Sequence, residues 1–235
     1  MTSIQTIPLY NLAYTLIPVL LVLIIFYKWQ MNTAQAMLAI CRMLLQLLVV
    51  GYFLNAIFAS ESAYITLLIL TLMLFFASWI ALGTVRQQRG IWLRNSMISL
   101  AISSTITLSI IATAVLELSP WYQPRYIIPL GGMILANSMT SISLAAERFQ
   151  AEYKNNKSYI EARNIAFNAA MIPTINTLLA VGLVALPGMM TGQILSGISP
   201  FIAARYQIMV MCMLFASSGI SAACFLVLIK SRQND

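Results

Sequence analysis

The chain contains no histidine, and its acidic residues are confined to Glu61, Glu117, Glu147, Glu152, Glu161 and Asp235. Without imidazole, and with so few carboxylates, most metal cages and most acid–base catalysis at neutral pH are excluded. No metal site and no catalytic set is expected. Charged residues make up 8% of the 235, where soluble domains carry about 25%. Cysteine is also scarce. Cys41, Cys212 and Cys224 each sit in an apolar run, as small core residues do, rather than in a disulfide or redox pattern. No GxxxxGK[ST] phosphate loop occurs, so the chain lacks an ATPase motif of its own. The opening MTSIQTIPLYNLAY has no basic leader, which predicts a retained first helix rather than a cleaved signal.

What is present is hydrophobicity: 60% of residues are apolar and the mean hydropathy is +0.87. A soluble fold cannot be covered with such a composition. The expectation is an all-α, polytopic membrane bundle forming one domain over 1–235. A span needs about 20 apolar residues to cross about 30 Å of hydrocarbon. Seven segments qualify: 8–28, 35–58, 63–84, 93–117, 127–146, 164–186 and 205–229. Pro173 predicts a kink in the sixth. Residues 147–163 then form a polar loop, and 187–204 an interruption before the last span.

Basic residues set the orientation. Lys28, Arg86, Arg89, Arg94, Arg148, Lys154, Lys157, Arg163, Lys230 and Arg232 fall on one side, Arg125 and Arg205 on the other. Basic loops stay in the cytoplasm, so the N-terminus is predicted outside and the C-terminus inside. The net charge of +7 then meets anionic lipid rather than nucleic acid. The loop 147–163 carries Arg148, Lys154, Lys157, Glu161 and Arg163. It reads either as a solvated hairpin or as a docking surface for a soluble partner.

Polar groups inside the membrane are costly unless they face a partner or a water-filled path. Arg42 and Gln46 share a face of the second span, where snorkelling also accounts for Arg42. The serines and threonines of the fourth span fit close helix packing or a pathway. The fifth span carries Pro129 and Gly131–Gly132, then Asn137, Ser138, Thr140, Ser141 and Ser143. The sixth adds Thr174, Asn176 and Thr177 after Pro173. Broken helices with polar side chains near the midplane are how transport sites are built.

Methionine, at 14 residues, is a soft ligand for copper(I) and also a general gap filler. Met189 and Met190 stand apart, because they lie in the stretch LPGMMTGQILSG. There Pro187 and the glycines are expected to stop the sixth span at 187–188. Pro187, Gly188, Met189, Met190 and Gly192 are candidates for an outer gate or re-entrant turn. A plain connector, or helix packing through Gly188 and Gly192, are the alternatives.

The stretches CRMLLQLLVVGYFL, IIPLGGMILANSM, AAMIPTINTLLAVGLVALPGMMTGQILSG and ARYQIMVMCML resemble the FetB-type iron-export permeases. That family is related to the plant aluminium-sensitivity permeases, and the similarity runs from the second span to the seventh. The resembling stretches add Met133 and Gln207 to the candidate pathway of Arg42, Gln46, Asn137, Ser138, Asn176 and Thr177. The resemblance implies an ABC-type permease of the bacterial inner membrane, exporting a metal, working as a homodimer with a separate cytoplasmic ATPase that uses the ATP. It makes 147–163 the ATPase contact and IEARNIAFNAAMIPT a coupling segment, although the glycine usual there is missing. The competing reading is a passive channel or secondary carrier for a small solute or ion, against which the lack of intramembrane carboxylates argues where proton coupling is concerned.

Overall fold

A computed structural model describes residues 8–59 and 62–230. Glu61, Arg232 and Asp235, used in the charge count above, lie outside the described residues. Among the described residues the regular structure is helical, with one isolated bridge between Val181 and Ala185. The helices are α1 (Leu9–Ala13), α2 (Leu16–Lys28), α3 (Thr33–Phe58), α4 (Ala63–Ala81), α5 (Arg89–Ile110), α6 (Pro124–Lys154), α7 (Tyr159–Ala180), α8 (Gly188–Leu195) and α9 (Pro200–Lys230). A 3-10 turn at Arg86–Gln88 leads into α5, and a π turn at Ile111–Val115 ends it. The protein is a polytopic, all-helical membrane protein.

Among the described residues, six helical stretches are long and apolar enough to cross a membrane; α7 is not among them. The sixth predicted span, 164–186, differs most from the structure. Helix α7 begins at Tyr159 and ends at Ala180, with Val181 in extended conformation as its C-cap. Its Asn164, Asn168 and Asn176 lower its hydropathy, and its last turn stops well short of Pro187. The chain reverses at Gly182, whose φ of 84° is the left-handed conformation that glycine reaches without a β-carbon clash. Pro187 therefore does not terminate α7; it caps the start of α8. Pro173 lies inside α7 and the helix continues through it.

The expected loop 147–163 is mostly helical too. Helix α6 runs on to Lys154 and α7 starts at Tyr159, leaving residues 155–158 as the turn. The expectation of one domain meets two compact units, Met1–Ser60 and Glu61–Asp235. In the first, α2 packs on α3, and α2 buries none of its side chains. An apolar helix with no buried face suits a lipid surrounding, where exposure of leucine carries no penalty.

In the second unit α6 is the central helix, packing on α4, α5, α7 and α9. Small residues make this possible. A β-carbon at Gly131 would stand 2.5 Å from Leu70 Cδ2, and one at Gly132 would stand 3.0 Å from Met73 Cε, so both glycines admit α4. Ala162, Ala166 and Ala170 form an i, i+4 stripe of α7 that is almost wholly buried. Trp92, Phe149 and Phe225 meet edge to face where α5, α6 and α9 converge.

Helices α5 and α9 run antiparallel along a hydroxyl-lined seam. Asn95 Nδ2 donates to the Leu228 carbonyl at 3.3 Å, and Ser103 Oγ to the Ser217 carbonyl at 2.7 Å. Ser96, Ser99, Ser217, Ser218 and Ser221 are fully buried around these bonds. Both readings of the fourth span find residues here: Ser96, Ser99 and Ser103 are packed in this seam, whereas Ser104, Thr105, Ser109 and Thr113 line a cavity of about 720 Å³ between α4, α5 and α6. Gly131→Ala is expected to lower the unfolding temperature in detergent, costing about 1–3 kcal/mol by overpacking against Leu70. In the Gly131→Ala/Leu70→Ala double variant the combined loss should be smaller than the sum of the two single losses.

Candidate functional site

Pro173 has no N–H, so the Ala169 carbonyl, four residues earlier, has no helical donor. Beside this gap lies a cavity of about 70 Å³ between α6, α7 and α9. Asn137, Thr140 and Ser141 line it from α6, Thr174 and Thr177 from α7, and Met211 from α9. The spacing explains the grouping: 137, 140 and 141 share one helical face, as do 170, 173, 174 and 177.

Part of the donor capacity of this site is spent on its own helices. Asn137 Nδ2 donates to the Met133 carbonyl at 3.1 Å, Thr140 Oγ1 to the Ala136 carbonyl at 3.0 Å, and Thr177 Oγ1 to the Pro173 carbonyl at 2.8 Å. What remains for the cavity is the Asn137 amide oxygen with its second amide hydrogen, and the hydroxyls of Ser141 and Thr174. Such a lining is uncharged and offers both acceptors and donors to an occupant.

A second cavity, of about 300 Å³, lies between α6, α8 and α9. Met133, Met189 and Met209 face it, with Gln193, Tyr206 and Arg125. Thus a candidate pathway residue, Met133, and a candidate gate residue, Met189, share one space. Pro187, Gly188, Met190 and Gly192 do not line it. Neither Gly188 nor Gly192 is closely approached, since a β-carbon at either would meet nothing within 4 Å. The GxxxG of α8 therefore packs no helix within the described residues.

Other candidates stand apart from both cavities. Ser138 is fully buried with no partner for its hydroxyl, and Gln207 is buried with its Oε1 unpartnered. Asn176 is exposed: one residue from Thr177, it is rotated about 100° around the helix. Arg42 and Gln46 are exposed on α3, in the first compact unit.

The α6–α7 turn is held by a group that the sequence reading passed over. Glu152, with a side chain 7% exposed, pairs with Arg148 at 2.6 Å and Lys157 at 2.5 Å. Ser158 and Glu161 form a capping box: Ser158 Oγ accepts from the Glu161 N–H at 3.3 Å, and the Glu161 carboxylate accepts from the Ser158 N–H at 3.1 Å. Hydrogen bonds from the Ser158 hydroxyl and backbone hold the Glu161 carboxyl below its ordinary 4.5. Tyr159 Oη donates to the Leu226 carbonyl at 2.8 Å and ties the turn to α9. Of the five candidate docking residues, Arg148, Lys157 and Glu161 are thus engaged in shaping the turn. Arg163 bonds the Asn164 amide oxygen, while Lys154 is exposed. The S-x-x-E spacing at 158–161 was the readable signal for the start of α7.

The model of UPF0014, described as an uncharacterised protein family, matches residues 9–233. The chain belongs to the UPF0014 family. A UPF0014 membrane protein of Synechocystis sp. is 36% identical over 83% of this chain and 82% of its own length. The Escherichia coli relative named as a probable iron export permease, FetB, is 34% identical over 92% of this chain and 89% of its own. The Arabidopsis thaliana protein named Aluminum Sensitive 3 is 29% identical over 89% and 81%. No solved structure matches.

In this UPF0014 member the cap should be sensitive to acid. Because the folded Glu161 carboxyl sits below 4.5, its contribution is complete above that pH and fades as pH falls below it. The Ser158→Ala variant should lose about 1 kcal/mol at neutral pH. The difference in unfolding temperature between variant and parent should shrink as the buffer is taken from pH 6 to about pH 3.

Proposed function

We propose that this chain is the membrane permease subunit of an ABC-type exporter, driven by a separate cytoplasmic ATPase and moving a metal ion such as iron outward. The single observation that carries this reading is the polar, uncharged cavity between α6, α7 and α9, lined by Asn137, Thr140, Ser141, Thr174 and Thr177. Neutral oxygens at membrane depth let a cation pass without holding it, which suits release better than storage. The 34% identity to a protein named as a probable iron export permease supports the class and the substrate.

The proposed topology takes α7 as a seventh crossing, less apolar than the other six, and puts the N-terminus outside and the turn at 155–158 in the cytoplasm of a bacterial inner membrane, because basic residues accumulate on the side of that turn. Anionic lipid there would meet Lys154 and Lys230. The partner ATPase would bind the 155–158 turn through Lys154 and Arg163, with Arg148, Lys157 and Glu161 keeping it in shape. Two copies of the chain would form the functional permease.

The experiment is reconstitution. The purified chain alone should hydrolyse no ATP, and affinity capture from native membranes should bring a Walker-motif ATPase with it. In vesicles carrying both subunits, Asn137→Leu should reduce ATP-dependent metal efflux at least tenfold while leaving capture of the ATPase unchanged. Efflux that follows an ion gradient and ignores ATP would make the protein a carrier instead.

A further inference from the structure

Fourteen methionines are spread over the chain, but three of them, from three different helices, converge on one cavity. Met133 comes from the first half of α6, Met189 from α8 and Met209 from α9. We propose that this cavity is a binding site for a soft, singly charged metal ion of the copper(I) or silver(I) type, with Met133, Met189 and Met209 as thioether ligands.

The chemistry selects the ion. Thioether sulfur is a polarisable, uncharged donor that favours d¹⁰ monovalent ions and has little affinity for hard or multiply charged ones. The cavity holds no carboxylate, imidazole or thiolate, and Arg125 at its exposed rim adds a positive charge. Repulsion by that arginine grows with the charge of the ion, so a divalent or trivalent cation is disfavoured on both counts. Gln193 supports a polar occupant: its Oε1 is buried with no partner among the described residues, one turn after Met189 on α8. Apolar filler alone would leave that oxygen unsatisfied. The volume of about 300 Å³ leaves room for the ion with a water or a further ligand.

Helix α8 also gives the site a means of opening. It is a short helix between two glycine turns, Gly182 with φ 84° and Gly197 with φ 90°, and none of its residues is buried. Met189 rides on this lightly held segment, whereas Met133 and Met209 belong to long helices of the bundle.

The test is equilibrium binding of silver(I), a redox-inert probe, to the full chain in detergent and chloride-free buffer. Cys41, Cys212 and Cys224 are replaced by alanine first, because thiolates would outcompete thioethers. With [¹³C-methyl]methionine labelling, one equivalent of silver(I) should shift the resonances of Met133, Met189 and Met209 and leave that of Met73, packed near Gly132, in place. The isosteric M133L/M189L/M209L variant should bind at least tenfold more weakly, while iron(II) should shift none of the three. Equal binding by parent and triple variant, shifts at other methionines only, or competition by iron(II) would each overturn the assignment. Should the triple variant not fold by circular dichroism, M189L on the exposed short helix gives the same comparison. No ATPase is involved, so failure here leaves the permease reading standing, and failure of that reading leaves this site standing.

Discussion

Helices immersed in hydrocarbon gain nothing by hiding leucine from lipid, so close approach of backbones is what holds this bundle together. The second compact unit shows how that approach is obtained. Gly131 and Gly132 let α4 lie against α6, the Ala162–Ala166–Ala170 stripe gives α7 a flat face, and serines line the α5–α9 seam. Each is a small side chain at helical spacing, and each removes a barrier to van der Waals contact rather than adding a strong bond. Helix α6 is surrounded because its sequence offers small groups on several sides at once. The polar cavity depends on the same arrangement, since only a helix enclosed by protein can carry Asn137 at membrane depth without meeting lipid.

Pro173 works differently. It leaves the helix intact and withdraws one donor from it, beside a cavity where Asn137 and Thr177 already donate to their own helices. The result is a small polar patch built from neutral residues. No carboxylate lines the cavity, in keeping with a chain of so few acids.

The helical membrane class was legible from composition, because hydropathy is summed over many residues and tolerates local errors. Helix ends were not, for reasons visible in particular residues. Leu183 and Val184 are apolar yet highly exposed in a turn, so hydropathy carried the sixth span past Ala180 when Gly182 had already reversed the chain. Conversely, Glu147 and Arg148 marked a loop to any charge count, although α6 continues through them to Lys154. In the site, Asn137 and Thr177 were legible as polar groups in apolar runs. Met211 was not, because a methionine that lines a cavity has the same sequence signature as one that fills a core. Asn176 lies outside this cavity by a rotation: adjacency in sequence puts a neighbour on a different face of the helix.

The ion-paired and capped turn at 155–158 has a mechanical consequence. Glu152 and Asn137 are both on α6, fifteen residues or about 22 Å apart, and the cavity lies between the same two helices that the turn joins. With Glu152 clamping Arg148 to Lys157, and the capping box fixing the first turn of α7, the hairpin behaves as a pair of tongs whose hinge is stiff. A torque applied at that hinge is not absorbed by a floppy loop. The two helices that this hinge joins are the ones that carry Asn137 and Thr177 to the cavity.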